Sequence, residues 1–228
     1  MLKVFIIPIL FVFQAFGGVR ENIVKCANGF IGTPYDTNPI GQYVENKDIV
    51  YDSEMDCMYF VFRCTEIAKA NFNEEESQKI ALNLRFKTQG IIGNDGKVQN
   101  YDERFDYAED MVLSTKWGKN VTRKIGKISK IEGSRGIAEF EYVKNSDIKL
   151  EKFKNGDIIF WVKPFEKRVV GEIIGHLGFV EDDEGSVYFV HASGIKNKKK
   201  HSDGVTKILL KEYLEKTKFI GVAVKRFN

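Results

Sequence analysis

Cysteine and histidine are scarce in this chain, with three of each among 228 residues. None stands at the close spacing that zinc ligands need, so the sequence carries no metal signature and calls for no cofactor. A large excess of either charge is missing as well. Lys and Arg number 35 against 32 Asp and Glu, and a net charge of +3 is too small to mark a nucleic-acid binder. The one dense basic run, Lys196 with Lys198, Lys199 and Lys200, reads as a solvated loop and is assigned no ligand. Repeats and low-complexity tracts are absent, which argues against fibrous and disordered classes. No apolar run reaches the roughly 20 residues that a membrane span needs. What is present is 43% hydrophobic and 13% aromatic residues, an ordinary globular composition at a length that suits one domain with a substantial core.

The first residues set the context. Met1-Leu2-Lys3 opens with a positive charge, Val4 to Phe13 is apolar, and Ala15-Phe16-Gly17 puts small residues at the two sites that a signal peptidase reads. The expectation is a secretory signal over 1–17, cleaved after Gly17, and a single domain over 18–228. That domain would be exported to the periplasm or cell envelope, with no stable membrane insertion after cleavage. Cys26 follows Ile23-Val24-Lys25, which is not a lipid-attachment context. An odd number of cysteines leaves at least one thiol outside any pairing within the chain. A bridge from Cys26 to Cys64 is open, although two buried thiols are the expectation.

Hydrophobic spacing predicts a helix over Val19 to Phe30 that stops at Gly32-Thr33-Pro34. A long ordered loop with one short strand follows over Asp36 to Ser53. The run CMYFVFRCTEIAKA, Cys57 to Ala70, is apolar almost all round in its first half and predicts a central buried helix with Asp56 as N-cap. Further helices are expected over Glu74 to Phe86 and Asp102 to Leu113. Asn120 to Val143 is mixed. The last third turns strand-like at Ile158 to Val162, Ile173 to Val180, Val187 to His191 and Phe219 to Phe227, with a short helix from Leu209 to Lys216. Hairpin-length connections imply antiparallel pairing, so the fold class is α+β, N-terminal helices packed on an antiparallel sheet.

Cys57 opens a helix directly after its acidic cap, where backbone N–H groups and the dipole favour a thiolate. A buried structural cysteine is the bland alternative. Two of the three histidines, His176 in GHLGFV and His191 in YFVHASG, flank one expected hairpin. Adjacent antiparallel strands would bring both rings to one end of the sheet, facing the helix that begins at Cys57. A nucleophilic cysteine needs a base within hydrogen-bond reach and a third polar group that orients the base. Cys57, His176 and His191 fill those roles in that order; His201, within the lysine-rich loop, is left to solvent.

These residues resemble a known family. MDCMYFVFRCTEIAKA, GDIIFW, GHLGFV and FVHASG are similar to the NlpC-type papain-like peptidoglycan hydrolases. GTPY at 32–35, DC-x-x-FV at 56–61, LRF at 84–86, YDERFDYAEDMV at 101–112 and the closing IGVAVKRF resemble the N-acetylmuramoyl-L-alanine amidase-like branch. The resemblance implies a papain-like cysteine hydrolase fold with nucleophile Cys57, general base His176 and orienting His191. It also implies a role for Tyr35 near the oxyanion and for Arg104 in substrate binding. Two positions depart from the branch: Met58 follows the nucleophile in place of a small hydroxyl residue, and Asp106 stands where a histidine is expected.

The activity so implied is hydrolysis of the amide between N-acetylmuramic acid and L-alanine in peptidoglycan or a muropeptide, through a thioester and without metal or cofactor. The alternatives are a D-glutamyl stem-peptide endopeptidase of the same fold and a catalytically silent wall-binding module.

Overall fold

The computed structural model describes residues 18–194 and 204–228. The signal reading over 1–17, the Lys196–Lys200 run and His201 lie outside the described residues. Helices come first: α1 (Val19–Gly29), a short α2 (Gln42–Glu45), α3 (Cys57–Lys69), α4 (Glu74–Leu84) and α5 (Ala108–Leu113). Then come β1 (Lys119–Asn120), α6 (Thr122–Ile125), β2 (Gly126–Glu132), β3 (Glu139–Ile148), β4 (Ile158–Val162), β5 (Ile174–Asp183), β6 (Ser186–Ala192), β7 (Val205–Leu209), α7 (Leu210–Lys216) and β8 (Gly221–Arg226). All strand pairings are antiparallel, in the order β2-β3-β8-β4-β5-β6-β7, with β1 also on β8. The architecture is α+β with an antiparallel sheet and helices on it.

The alternation in β4 shows how the layers are built. Ile158, Phe160 and Val162 join the core beneath α1 and α3, while Ile159 and Trp161 join the opposite core with Ile125 and Leu210, beside α6 and α7. The central helix α3 starts where its cap dictates, with the Asp56 carboxylate accepting from the Tyr59 N–H at 2.8 Å. Asn73 caps α4 in the same way through the Glu76 N–H, and Glu74, Glu75 and Glu76 fill its first turn.

Three expectations need correction, and one strand was not expected at all. Cys26 and Cys64 are not two buried thiols: α1 packs on α3, their Cα atoms come within 5.4 Å, and the two form a disulfide. Between Asp36 and Ser53 the short element is the helical turn α2, not a strand. The helix expected over Asp102 to Leu113 is divided, because the Phe105 N–H pairs with the Arg85 carbonyl at 2.8 Å and Phe86 bridges Arg104. Backbone pairing there outweighs helix continuation, and only Ala108–Leu113 is α-helical. The edge strand β7 has no counterpart in the sequence reading.

Candidate active site

The site forms at the start of β5, where the N-terminus of α3 meets the sheet. The Pro34 carbonyl accepts from the Met55 N–H at 2.9 Å and the Met55 carbonyl accepts from the Asp36 N–H at 3.1 Å. The GTPY segment is thereby strapped alongside the residues that lead into Cys57. Cys57, Tyr35, Met58, Asp106, Tyr107 and His176 line one cleft of ≈ 250 Å³. Cys57 is partly exposed and takes no part in a disulfide. Its backbone N–H belongs to the first turn of α3, where N–H groups have no intrahelical acceptor.

Both imidazoles lie in the layer of α7, not in that of α3 as the sequence reading has it. His191 stacks on Phe189 at 4.5 Å, and the His176 ring lies parallel to that of Phe219 at 6.3 Å. The cleft reaches His176 around the beginning of β5, beside Gly175 and Leu177. His176 Nε2 and His191 Nδ1 are 2.7 Å apart and share one hydrogen bond. Burial pushes both imidazoles down, His176 to about 4, and His191 is lowered further by the neighbouring charge of His176. Tyr213 of α7 packs on His191 at 5.3 Å and on His176 at 6.5 Å. Its phenol is pushed up to about 12, first by burial, with a contribution from the charge of Cys57. The electrostatic reach of the thiol therefore extends to the residue packed on both histidines.

Tyr35 is buried, and its phenol is raised by burial and then by the charges of Cys57, Asp56 and Asp36. A phenol held protonated is a hydrogen-bond donor. Glycines are required around these side chains for space. A Cβ on Gly194 would sit 2.1 Å from the Tyr35 ring, and one on Gly178 would lie 2.8 Å from the His191 Cβ. Those close approaches account for the glycines that follow each histidine in GHLGFV and VHASG.

Arg104 stands one step behind the cleft. It does not line the wall, but its Nη2 holds the cleft residue Asp106 at 2.5 Å. The sequence reading also missed what holds the cleft residues Tyr107 and Ile174. Glu109 is fully buried and accepts from the backbone N–H groups of Ile173 and Ile174 and from Arg135 Nη2 at 2.7 Å. Arg135, at the tip of the β2–β3 hairpin, covers the face of Tyr107 at 3.5 Å. Glu109 sits inside the motif YDERFDYAEDMV and could have been singled out there; Arg135 carries no local signal, because only tertiary structure brings the hairpin tip to the cleft. Among the described residues, no group of three His, Cys, Asp or Glu side chains converges as a metal site. No helix among them is long and apolar enough to cross a membrane.

No family model matches the chain, and no curated protein matches it. Solved structures do. An N-acetylmuramoyl-L-alanine amidase from Bacteroides uniformis aligns with a TM-score of 0.68 at 16% identity, covering 91% of this chain and 98% of that one. A Bacteroides fragilis protein provisionally named a xylanase aligns at 0.64 and 21% identity, over 88% and 98%. A Legionella pneumophila protein of the family DUF1460 aligns at 0.65 and 16% identity, over 91% and 88%. Across nearly its whole described length, this chain shares the fold of those proteins.

Proposed function

We propose that the protein is an exported, cysteine-dependent amidase of the bacterial cell wall, with a papain-like arrangement of its catalytic groups, that hydrolyses the bond between N-acetylmuramic acid and L-alanine in peptidoglycan. The observation that carries this reading is the chain of groups at the cleft. A helix-start cysteine lines one cleft with His176, whose Nε2 is hydrogen-bonded to His191 at 2.7 Å. The likeness of fold to a structure named as such an amidase supports peptidoglycan as the substrate class.

In the mechanism, His176 uses Nδ1 as base toward Cys57 and donates its Nε2–H to His191 Nδ1, which fixes the working tautomer. Burial keeps the resting imidazoles neutral, so the thiol proton moves to His176 as sulfur attacks the lactyl carbonyl. The oxyanion is met by the Cys57 N–H and the Tyr35 hydroxyl. Collapse to the thioester expels the L-alanine amine, protonated by His176, and water then releases the lactyl carboxylate. Glycoside cleavage is the poorer fit. Of the three cleft carboxylates, Asp106 and Glu172 are each held by a basic partner, Arg104 and Lys163, and Asp56 is engaged as the cap of α3, so none is set apart as the acid and base that such cleavage uses.

Digestion of purified peptidoglycan followed by mass spectrometry tests the reading. Released glycan together with intact stem peptides is expected, and Cys57→Ala protein should release neither. Shortened stems with the glycan still attached would assign the endopeptidase activity instead.

A further inference from the structure

A larger pocket, of ≈ 670 Å³, opens on the other side of the histidine pair. Its wall includes His191, Ile208, Tyr213 and Phe219, with Lys207, Lys216 and Lys218 around it. His191 is only 4% exposed, and its Nδ1 is engaged by His176. If His176 is the base, the shared proton sits on His176 Nε2, and His191 must carry its own proton on Nε2. Among the described residues that second N–H has no acceptor. That donor borders the cavity, and the charged residues that line it, Lys207, Lys216 and Lys218, are all basic. Lys207 is partly neutralised by Glu181 at 2.9 Å and Lys216 lies 4.0 Å from Glu212, which leaves Lys218 as the most available cation of the three.

We propose that this pocket is a second binding site that takes a small carboxylate-bearing ligand, whose apolar part rests on Phe219, Tyr213 and Ile208 while its carboxylate accepts from His191 Nε2–H and faces Lys218. The ligand's effect on catalysis rests on the reading of His191 as the orienting residue of the amidase. An occupant would hold His191 in the tautomer that supports His176. The same chemistry has two sources: an acidic residue of the substrate's own stem peptide, and a free acidic peptide.

The test uses Cys57→Ala protein, which does not turn over, with ¹⁵N resonances of the imidazoles as readout. L-alanyl-D-glutamate is titrated beside its fully amidated analogue and beside an intact disaccharide peptide. A saturable shift of the His191 Nε2 signal is expected, at least tenfold weaker with the amidated dipeptide. Lys218→Glu, an exposed change, and Ile208→Trp, which fills the pocket, should each weaken it tenfold or more. A response to the disaccharide peptide alone assigns the substrate's carboxylate, and a response to both assigns free acids too; either upholds the site. Absence of any shift, an equal response to the amidated analogue, or indifference to Lys218→Glu overturns it. Because binding is read without turnover, this result and the digestion result can fail independently.

Discussion

In the proposed mechanism the two histidines, the same residue type, do different work, and substitution separates them. His176→Asn should lose activity by about 10³-fold or more, as Cys57→Ala does, because each removes a group that acts in every turnover. His191→Asn should keep a measurable fraction. The Asn Oδ1 falls close to where His191 Nδ1 stood and can accept from His176 Nε2, the group 2.7 Å away. His191→Gln, whose oxygen reaches one bond further, should do worse than His191→Asn. Steady-state turnover of muropeptide by the four variants checks this order. An active His176→Asn beside a dead His191→Asn would reverse the roles.

At the scale of elements, the helix that begins at Cys57 is held from both sides. The disulfide ties α3 to α1 across 38 positions of chain, and closing a loop of that size contributes about 2–4 kcal/mol through the unfolded state. The Cys26→Ala/Cys64→Ala protein should therefore melt markedly lower in a thermal scan. Its turnover at room temperature should stay near wild type, since neither sulfur reaches the cleft; a loss of turnover without a loss of stability would contradict this. On its other flank, α3 carries Glu66, which is fully buried and paired with Arg85 at 2.5 Å, the guanidinium lying 5.0 Å from the Tyr59 ring. Arg85→Met alone should cost about 3–5 kcal/mol, because it strands a buried carboxylate. The Glu66→Met/Arg85→Met double variant should recover most of that in urea unfolding. The helix itself was legible in the sequence. Its cap, its apolar face and its boundary at Cys57 are local features, and so are the strands carrying His176 and His191. The disulfide, the break at Arg104, β7 and the hairpin-tip Arg135 were not legible, since each depends on which distant segment arrives as neighbour. The layer of the imidazoles was misread for a related reason. Strand alternation gives a side chain's parity, but only the packed structure says which face α3 covers.

For the molecule as a whole, the buried pair of imidazoles makes stability depend on pH. Both folded-state values lie below the ordinary histidine value of about 6.5. The unfolded chain therefore binds protons that the native state refuses. The contribution is fully present above about pH 6.5 and is lost as pH falls towards 4, with a slope of at most about 1.4 kcal/mol per pH unit for each histidine. Urea unfolding at pH 7 and pH 4.5 should show a larger drop for wild type than for His176→Gln/His191→Gln protein. Equal drops would mean that the pair is not the source.

The placement of β8 has a consequence in time. The strand over residues 221–226 lies between β3 and β4, so it joins the β2–β3 hairpin to the strands that bear the histidines. During synthesis those two halves of the sheet emerge first, without the strand that lies between them. The sheet cannot close, and the histidine pair cannot be set in its frame, until residue 226 has left the ribosome. Closure of the sheet thus waits for β8, and a chain that still lacks residues 221–226 has no assembled site with which to act.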